Sequence, residues 1–360
     1  MRKRVLFVID GLSGGGAERI LLRLAGHMTD LGHQVALANL RDQQDLPIPE
    51  GVQLIRAFDK SPRQLRKMGE IQRRARILDE YLVGRDPWSL VISTLTQSDR
   101  IVARSSLAEV AWYRVVNPLS SEYLENRQAL TRLRRLRRLR RTYPGRKVVA
   151  ISAGVGTDLT VNLGIRPSRL ETIYNPFDFS EVRRLASEPC PLAGQDYLVH
   201  VGRFDEQKRH DRLLGAFARS RYEGRLVLVG TGTDTEQRRV RALIAGLDLE
   251  PRVELTGFQI NPYPFIRHAR AIVLSSDYEG FGSVLVEALI CGTPAVSTRC
   301  PSGPPEILTG DLSTGLADLT EEGLAAAIDR VVANPPAITE ASYERFSIES
   351  IGKQYLALAD

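Results

Sequence analysis

Long apolar runs are missing from this chain of 360 residues. None approaches the roughly 18 residues that a helix needs to cross a bilayer. The first run, Val5-Leu6-Phe7-Val8-Ile9, follows Met1-Arg2-Lys3-Arg4 much as the core of a signal peptide would. It stops at Asp10, and glycines follow without a cleavage-type site, so it reads as a first buried strand. Cysteine is scarce as well. Cys190, Cys291 and Cys300 form neither an even framework nor a metal-type spacing, which suits a reducing cytoplasm. No carboxylate cluster suggests an obligate metal site. Finally, no complete G-x-G-x-x-G fingerprint with its ribose-binding acid is present, which counts against a dinucleotide-dependent oxidoreductase.

What is present is the composition of a globular protein, 43% hydrophobic and 26% charged, at a length that suits two domains. The net charge of +6 is local: nine basic residues and no acidic one lie between Arg132 and Lys147, leaving the remainder at +6 − 9 = −3. Such a stripe seeks anionic membrane, nucleic acid or a polyanionic substrate. Leu130, Leu133, Leu136 and Leu139 recur among the arginines every three residues, so on an α-helix their stripe winds around the axis. No aromatic platform interleaves with the run, which disfavours a nucleic-acid binder.

Short β-branched runs alternate with helical patterns from end to end, the signature of parallel α/β sheets. The first half predicts strands at residues 4–9, 34–40, 53–57, 90–93, 111–116 and 147–151, with helices at 17–31 and across an Arg/Leu-rich stretch from 120 to 141. The second half predicts strands at 197–201, 225–230, 253–256, 271–274 and 295–298. The proline-containing stretch from Asn175 to Pro191 reads as an interdomain linker. A last helix, Ser347–Leu358, has Ser347 as its N-cap and puts Ile351, Tyr355 and Leu358 on one face.

Three segments carry candidate chemistry. Gly11-Leu12-Ser13-Gly14-Gly15-Gly16-Ala17-Glu18 joins the first strand to a helix, either as a ligand-facing loop or as a tight turn. Gly202-Arg203-Phe204-Asp205-Glu206-Gln207-Lys208 puts two cations at the carboxyl end of a strand, where they hold a diphosphate or pair with Asp205 and Glu206. The third, Ser276 to Leu289, is the most informative. Gly280 and Gly282 permit a tight turn, and Ser283 is the expected N-cap of a helix whose first amides face an anion. Glu279 lies before that turn and Glu287 four residues beyond the cap; carboxylates that accept from hydroxyls suit sugar recognition.

These residues resemble the large GT-B family of retaining glycosyltransferases, group 1 or family 4, that build bacterial polysaccharides, glycolipids and lipid-linked oligosaccharides. The matching elements are Gly15-Gly16-Ala17-Glu18, Gly202-Arg203 with Lys208, Gly230-Thr231-Gly232, Leu255-Thr256-Gly257-Phe258 and the Glu279–Glu287 pair. Ala288 to Val296 and Pro301 to Ile307 extend the match. The resemblance spans nearly the whole chain and is most specific in the second half. It implies an α/β fold of the GT-B type, two Rossmann-like domains with parallel sheets facing across a central cleft. Residues 1–178 would bind the acceptor, 179–345 the nucleotide-sugar donor, and 346–360 would cross back to the first domain.

The resemblance further implies that Arg203, Lys208 and Glu279 are catalytic, the two cations holding the donor diphosphate and Glu279 touching the sugar. Glu287 would bind the ribose and Phe258, after Gly257, would lie by the base. Gly202 and the backbone around Phe281, Gly282, Ser283, Val284 and Leu285 would contact phosphates and sugar, and the loop Gly14, Gly15 and Gly16 would close over the donor. Arg134, Arg135, Arg137 and Arg138 would meet a lipid-linked diphosphate acceptor or an anionic membrane surface. The donor would be a UDP-hexose or UDP-N-acetylhexosamine, transferred with retention and without metal or cofactor. The enzyme would act in the cytoplasm or peripherally on the inner membrane face, with no nucleic-acid partner. One departure stands out: relatives often carry a histidine after the strand at 111–116, whereas Asn117-Pro118 follows here. His27, His33, His200, His210 and His268 read as structural or surface residues. The alternatives are a dinucleotide-dependent oxidoreductase and a basic membrane or nucleic-acid binder.

Overall fold

The computed structural model describes every residue except Met1, Gly14, 59–68 and Asn126. The chain forms two compact units, Met1–Pro176 with Ile348–Asp360, and Phe177–Ser347. The first unit opens with β1 (Arg4–Ile9), α1 (Gly16–Asp30), β2 (Gln34–Asn39), β3 (Gln53–Arg56) and α2 (Glu70–Leu82). It continues through β4 (Leu90–Thr94), α3 (Thr96–Val102), β5 (Trp112–Val115), α4 (Leu119–Tyr123) and α5 (Ala129–Leu139). β6 (Lys147–Ala150), α6 (Ala153–Thr157) and β7 (Arg169–Thr172) follow. These strands make one parallel sheet in the order β3-β2-β1-β4-β5-β6-β7.

The second unit runs α7 (Phe179–Ala186), β8 (Tyr197–Val201), α8 (His210–Arg219), β9 (Arg225–Val229), α9 (Asp234–Gly246) and β10 (Val253–Gly257). Next come α10 (Tyr263–Arg267), β11 (Ala271–Leu274), α11 (Ser283–Cys291), β12 (Ala295–Thr298), α12 (Pro304–Ile307), β13 (Leu316–Ala317) and α13 (Glu321–Ala333). Its parallel sheet is ordered β10-β9-β8-β11-β12-β13. The chain ends with α14 (Ile348–Ala357), which belongs to the first unit.

The reason for this layout is visible in the residues. Strands covered by helices on both faces need continuous apolar runs, and Val5–Ile9 and Ala271–Leu274 are buried throughout. Side-chain caps start several helices: Thr233 and Glu236 form a capping box on α9, and Thr320 accepts from the Gly323 amide on α13. In the second core, Leu213 and Phe217 of α8 and Leu324 and Ile328 of α13 pack on Leu226, Leu228 and Val273. In the first, Ile351 and Tyr355 of α14 join Leu21, Leu24, Trp112, Val149 and Ile173. No helix among the described residues is long and apolar enough to cross a membrane.

Several expectations change. The stretch read as a linker contains the passage from the first unit to the second, at Pro176–Phe177, but also the helix α7: Asp178 caps it by accepting from the Glu181 amide at 3.0 Å, and Val182 and Ala186 are buried. The helix expected from 120 to 141 is two helices. Asp158, 38 residues away, accepts from both the amide and the hydroxyl of Ser120, and Leu124 turns into the core between the two pieces. On α5, Leu130 and Leu133 are about 60% exposed while Leu139 is buried, as the winding stripe requires. β7 and β13 were not anticipated: one reads Arg-Leu-Glu-Thr and the other is two residues long.

The first unit contains a buried cation. Arg114 on β5 is 1% exposed, donates from Nε to Tyr355 Oη at 3.0 Å and from Nη2 to Asn175 Oδ1 at 2.6 Å. Its Nη1 has no partner, and no carboxylate among the described residues lies within ion-pair distance. Tyr355→Phe therefore leaves a second guanidinium nitrogen unsatisfied, at about 1–3 kcal/mol. We expect the urea midpoint of the first unit to fall with an unchanged slope, and Tyr355→Phe added to Arg114→Met to cost less than the sum of the two single changes.

Candidate active site

The order of the second sheet reverses between β8 and β11, and ligands of open α/β sheets bind beyond the carboxyl ends of strands at such a point. The segments that leave these two strands carry Lys208 and Glu279. Lys208 lies in a single 3₁₀ turn, Glu206–Lys208, capped by Asp205, whose side chain accepts from the Lys208 amide at 3.2 Å. Its ammonium donates to Glu279 Oε1 at 2.7 Å, with side chains only 16% and 8% exposed. Ser276 Oγ donates to the same oxygen at 2.5 Å.

The two segments are stitched together along their length. The Asp277 amide donates to the Gln207 carbonyl at 3.0 Å and Gln207 Nε2 to the Tyr278 carbonyl at 2.7 Å. Ser275 Oγ donates to the Lys208 carbonyl at 2.6 Å. Arg209 pairs with Asp211 and Asp277, and Arg212 reaches both Asp277 and the Ser275 carbonyl. A third segment, leaving β12, clamps the second. Thr298 Oγ1 donates to the Ser276 carbonyl at 2.6 Å, and Ser302 Oγ donates to the Glu279 carbonyl. Gly303, at φ +83°, brings its backbone so close to Phe281 that a methyl group there would collide with the Phe281 carbonyl.

The remaining sequence candidates sort by position. Gly202 lies beside the Lys208 stem. Arg203 points to solvent, 83% exposed, with Asp205 at 3.3 Å, so it does not join the Lys208–Glu279 pair. Ser283 is the first residue of α11 and not its cap. Gly282 takes that place in the left-handed region at φ +88°, the conformation needed to turn out of the loop straight into the helix. Phe281 and Leu285 are core side chains, so only their backbone is available to a ligand. The Phe281 ring lies 5.3 Å from Phe346 and 6.4 Å from Phe177. Val284 is half-buried. Glu287 accepts from Tyr263 Oη at 3.3 Å, and Phe258 beyond Gly257 is 63% exposed.

In the first unit, Gly14 lies outside the described residues; Gly15 and Gly16 open α1. Glu18 folds back over Gly15 and accepts from Ser13 Oγ at 3.0 Å, so this turn has a carboxylate of its own at the helix start. Arg134, Arg137 and Arg138 are exposed, whereas Arg135 lies over the Tyr123 ring at 5.7 Å. Sequence reasoning gave no role to Ser276, Thr298 or Ser302, although Ser276 opens the segment singled out there and Ser302 lies in the Pro301–Ile307 match. His200, read there as a structural or surface residue, is fully buried.

Residues 189–349 match the family profile described as glycosyl transferases group 1, and residues 14–181 match glycosyltransferase family 4. The chain belongs to the group 1 glycosyltransferases. It is 29% identical over 330 residues to a Campylobacter jejuni relative, N-acetylgalactosamine-N,N'-diacetylbacillosaminyl-diphospho-undecaprenol 4-alpha-N-acetylgalactosaminyltransferase, covering 88% of this chain and 86% of the relative. The lipopolysaccharide 1,6-galactosyltransferase of Escherichia coli is 30% identical over 172 residues, 46% of either chain. Among solved structures, Anabaena HepE in complex with UDP and glucose superposes with a TM-score of 0.75 at 22% identity over 98% of both chains. The two parallel-sheet, Rossmann-like units of this glycosyltransferase are those of the GT-B fold.

Beneath the ion pair lie two buried histidines, His200 and His210, with ring centroids 5.0 Å apart. His200 Nδ1 contacts the Val273 carbonyl at 2.8 Å. Burial, with the Lys208 charge adding to it, pushes His200 down to about 4 and His210 down to about 2. Both are neutral in the fold, whereas the unfolded chain titrates them near 6.5. Below that pH the unfolded state binds protons that the folded state does not, so stability falls as pH falls, by about 1.4 kcal/mol per pH unit for each histidine. Urea unfolding of the second unit between pH 6.5 and pH 5 should show this loss, and His210→Phe should roughly halve it. A flat profile in the wild type would contradict the assignment.

Proposed function

We propose that this glycosyltransferase moves a sugar from a UDP-hexose or UDP-N-acetylhexosamine to a hydroxyl of a glycan or lipid-linked diphosphate acceptor, with retention. The observation that carries the donor site is the Lys208–Glu279 pair at the switch point of the second sheet. A diphosphate placed there meets the Lys208 ammonium, the exposed Arg203 guanidinium and the first-turn amides of α11. As the anomeric C–O bond breaks, charge grows on the leaving diphosphate, and these groups stabilise it without rearrangement and without a metal. Arg203, Lys208 and Glu279 are the residues to which we assign this chemistry.

Glu279 Oε1 is committed to Lys208 and Ser276, an arrangement suited to sugar recognition more than to proton abstraction. We therefore let the acceptor hydroxyl attack from the face the diphosphate leaves, its proton passing to a diphosphate oxygen. We assign Glu287 to the ribose and Phe258 to the base; Gly257 ends β10 in the left-handed region just before Phe258. The choice of UDP leans on HepE, which was solved with it. That of a lipid-linked diphosphate acceptor leans on the Campylobacter relative and on the arginines of α5, including Arg134, Arg135, Arg137 and Arg138. The same arginines and the exposed Leu130 and Leu133 support our reading of peripheral attachment to an anionic membrane surface, which we take to be its cytoplasmic face.

The test is thermal stabilisation by UDP, GDP, ADP and NAD at equal concentration without added metal. UDP should stabilise the wild type, and Lys208→Ala should weaken it by about tenfold or more through loss of a charge-assisted contact. Glu287→Ala should weaken it through loss of the ribose contact. Stabilisation by NAD alone, or variants that respond like the wild type, would contradict the reading. Proton NMR of the product then reads whether the anomeric configuration of the donor is kept.

A further inference from the structure

The segment that carries Glu279 is held more closely than its ion pair requires. Lys208 Nζ and Ser276 Oγ both donate to Oε1, at 2.7 and 2.5 Å, while Oε2 accepts from no described residue. Ser276 is fully buried. Its carbonyl is fixed by Thr298 Oγ1 and the Glu279 carbonyl by Ser302 Oγ, so the main chain is pinned at both ends of the short loop between them.

We infer that Ser276 is a positioning residue which keeps Glu279 Oε2 aimed at a hydroxyl of the donor sugar while Lys208 engages the diphosphate. The inference rests on the transferase reading above. An ionised carboxylate offers about four acceptor sites on its two oxygens. Here one oxygen is used internally and the other is left for a ligand. The terminal torsion of a glutamate is broad, so a carboxylate held by Lys208 alone rotates once a phosphate competes for that ammonium. The short hydrogen bond from Ser276 to an ionised oxygen removes this freedom, and a buried hydroxyl on a pinned loop has nowhere else to turn. Ser276 thus acts on recognition of the sugar and not of the nucleotide. A site built to accept from a particular hydroxyl rejects a sugar that presents it differently.

The experiment compares wild type, Ser276→Ala, Ser276→Cys and Glu279→Gln by calorimetric titration. The ligands are UDP, GDP and ADP, followed by the glucose, galactose and N-acetylhexosamine derivatives of whichever nucleotide binds. Both Ser276 variants should bind the nucleoside diphosphate within about twofold of wild type and lose about tenfold in the ratio of nucleotide-sugar to nucleotide affinity. Discrimination between the glucose and galactose forms should fall in parallel. Ser276→Ala added to Glu279→Gln should lose no more than Glu279→Gln alone. Ser276→Cys keeps the volume with a weaker donor, so it gives the answer if the alanine cavity unfolds the loop. An unchanged ratio, or equal loss for nucleotide and nucleotide sugar, overturns the inference and leaves the transferase reading standing. A wild type that binds none of the three nucleotides overturns both.

Discussion

The pairing of Lys208 with Glu279 across the switch point of the second sheet is the contact on which the site depends. A buried ion pair is weak support for stability, since desolvation of the two charges offsets much of their attraction. Its worth here lies in position. The lysine leaves β8 and the glutamate leaves β11, adjacent strands whose exits diverge, and the pair holds the two loops at one place. The loops are then reinforced by neutral hydrogen bonds and by Arg209 and Arg212, which tie Asp277 down from the start of α8. On the proposed function, such over-determination would hold the two charged side chains in place for the charge that develops on the leaving diphosphate.

The same logic explains why core residues interrupt the site's sequence. Phe281 lies between Glu279 and the start of α11, yet its ring is buried against Phe177 and Phe346. It anchors the turn, and Gly282 then reverses the backbone so that the helix begins at once. Ser302 and Gly303 complete the anchor from the β12 side. In the first unit a different device serves a comparable end. Arg114 spends its hydrogen bonds on Asn175 and Tyr355, joining β5 to the segment that leaves the unit and to the helix that returns to it.

Much of this was legible in the residues. Apolar runs located β1, β8, β11 and β12 at their observed bounds because buried parallel strands admit little else. The position of Lys208 and Glu279 at strand exits was legible too, since glycines and turns mark those exits. Other features depend on contacts made far along the chain. The break between α4 and α5 is set by Asp158, and the sequence around Ser120 reads as helix without it. A short charged strand such as β7 shows no apolar run, because its residues are half-buried or exposed. Ser276, Thr298 and Ser302 are ordinary serines and threonine until the fold brings their hydroxyls onto one loop. The helix cap passed to Gly282 because the left-handed turn outweighs the preference for serine at that place.

The most direct measurement is a crystal structure of the protein with a bound nucleoside diphosphate. The account predicts phosphate oxygens within about 3 Å of Lys208 Nζ and of the backbone amides at the start of α11, with Ser276 still bonded to Glu279. A diphosphate found elsewhere in either unit, with the Lys208–Glu279 pair untouched and no phosphate near α11, would contradict it.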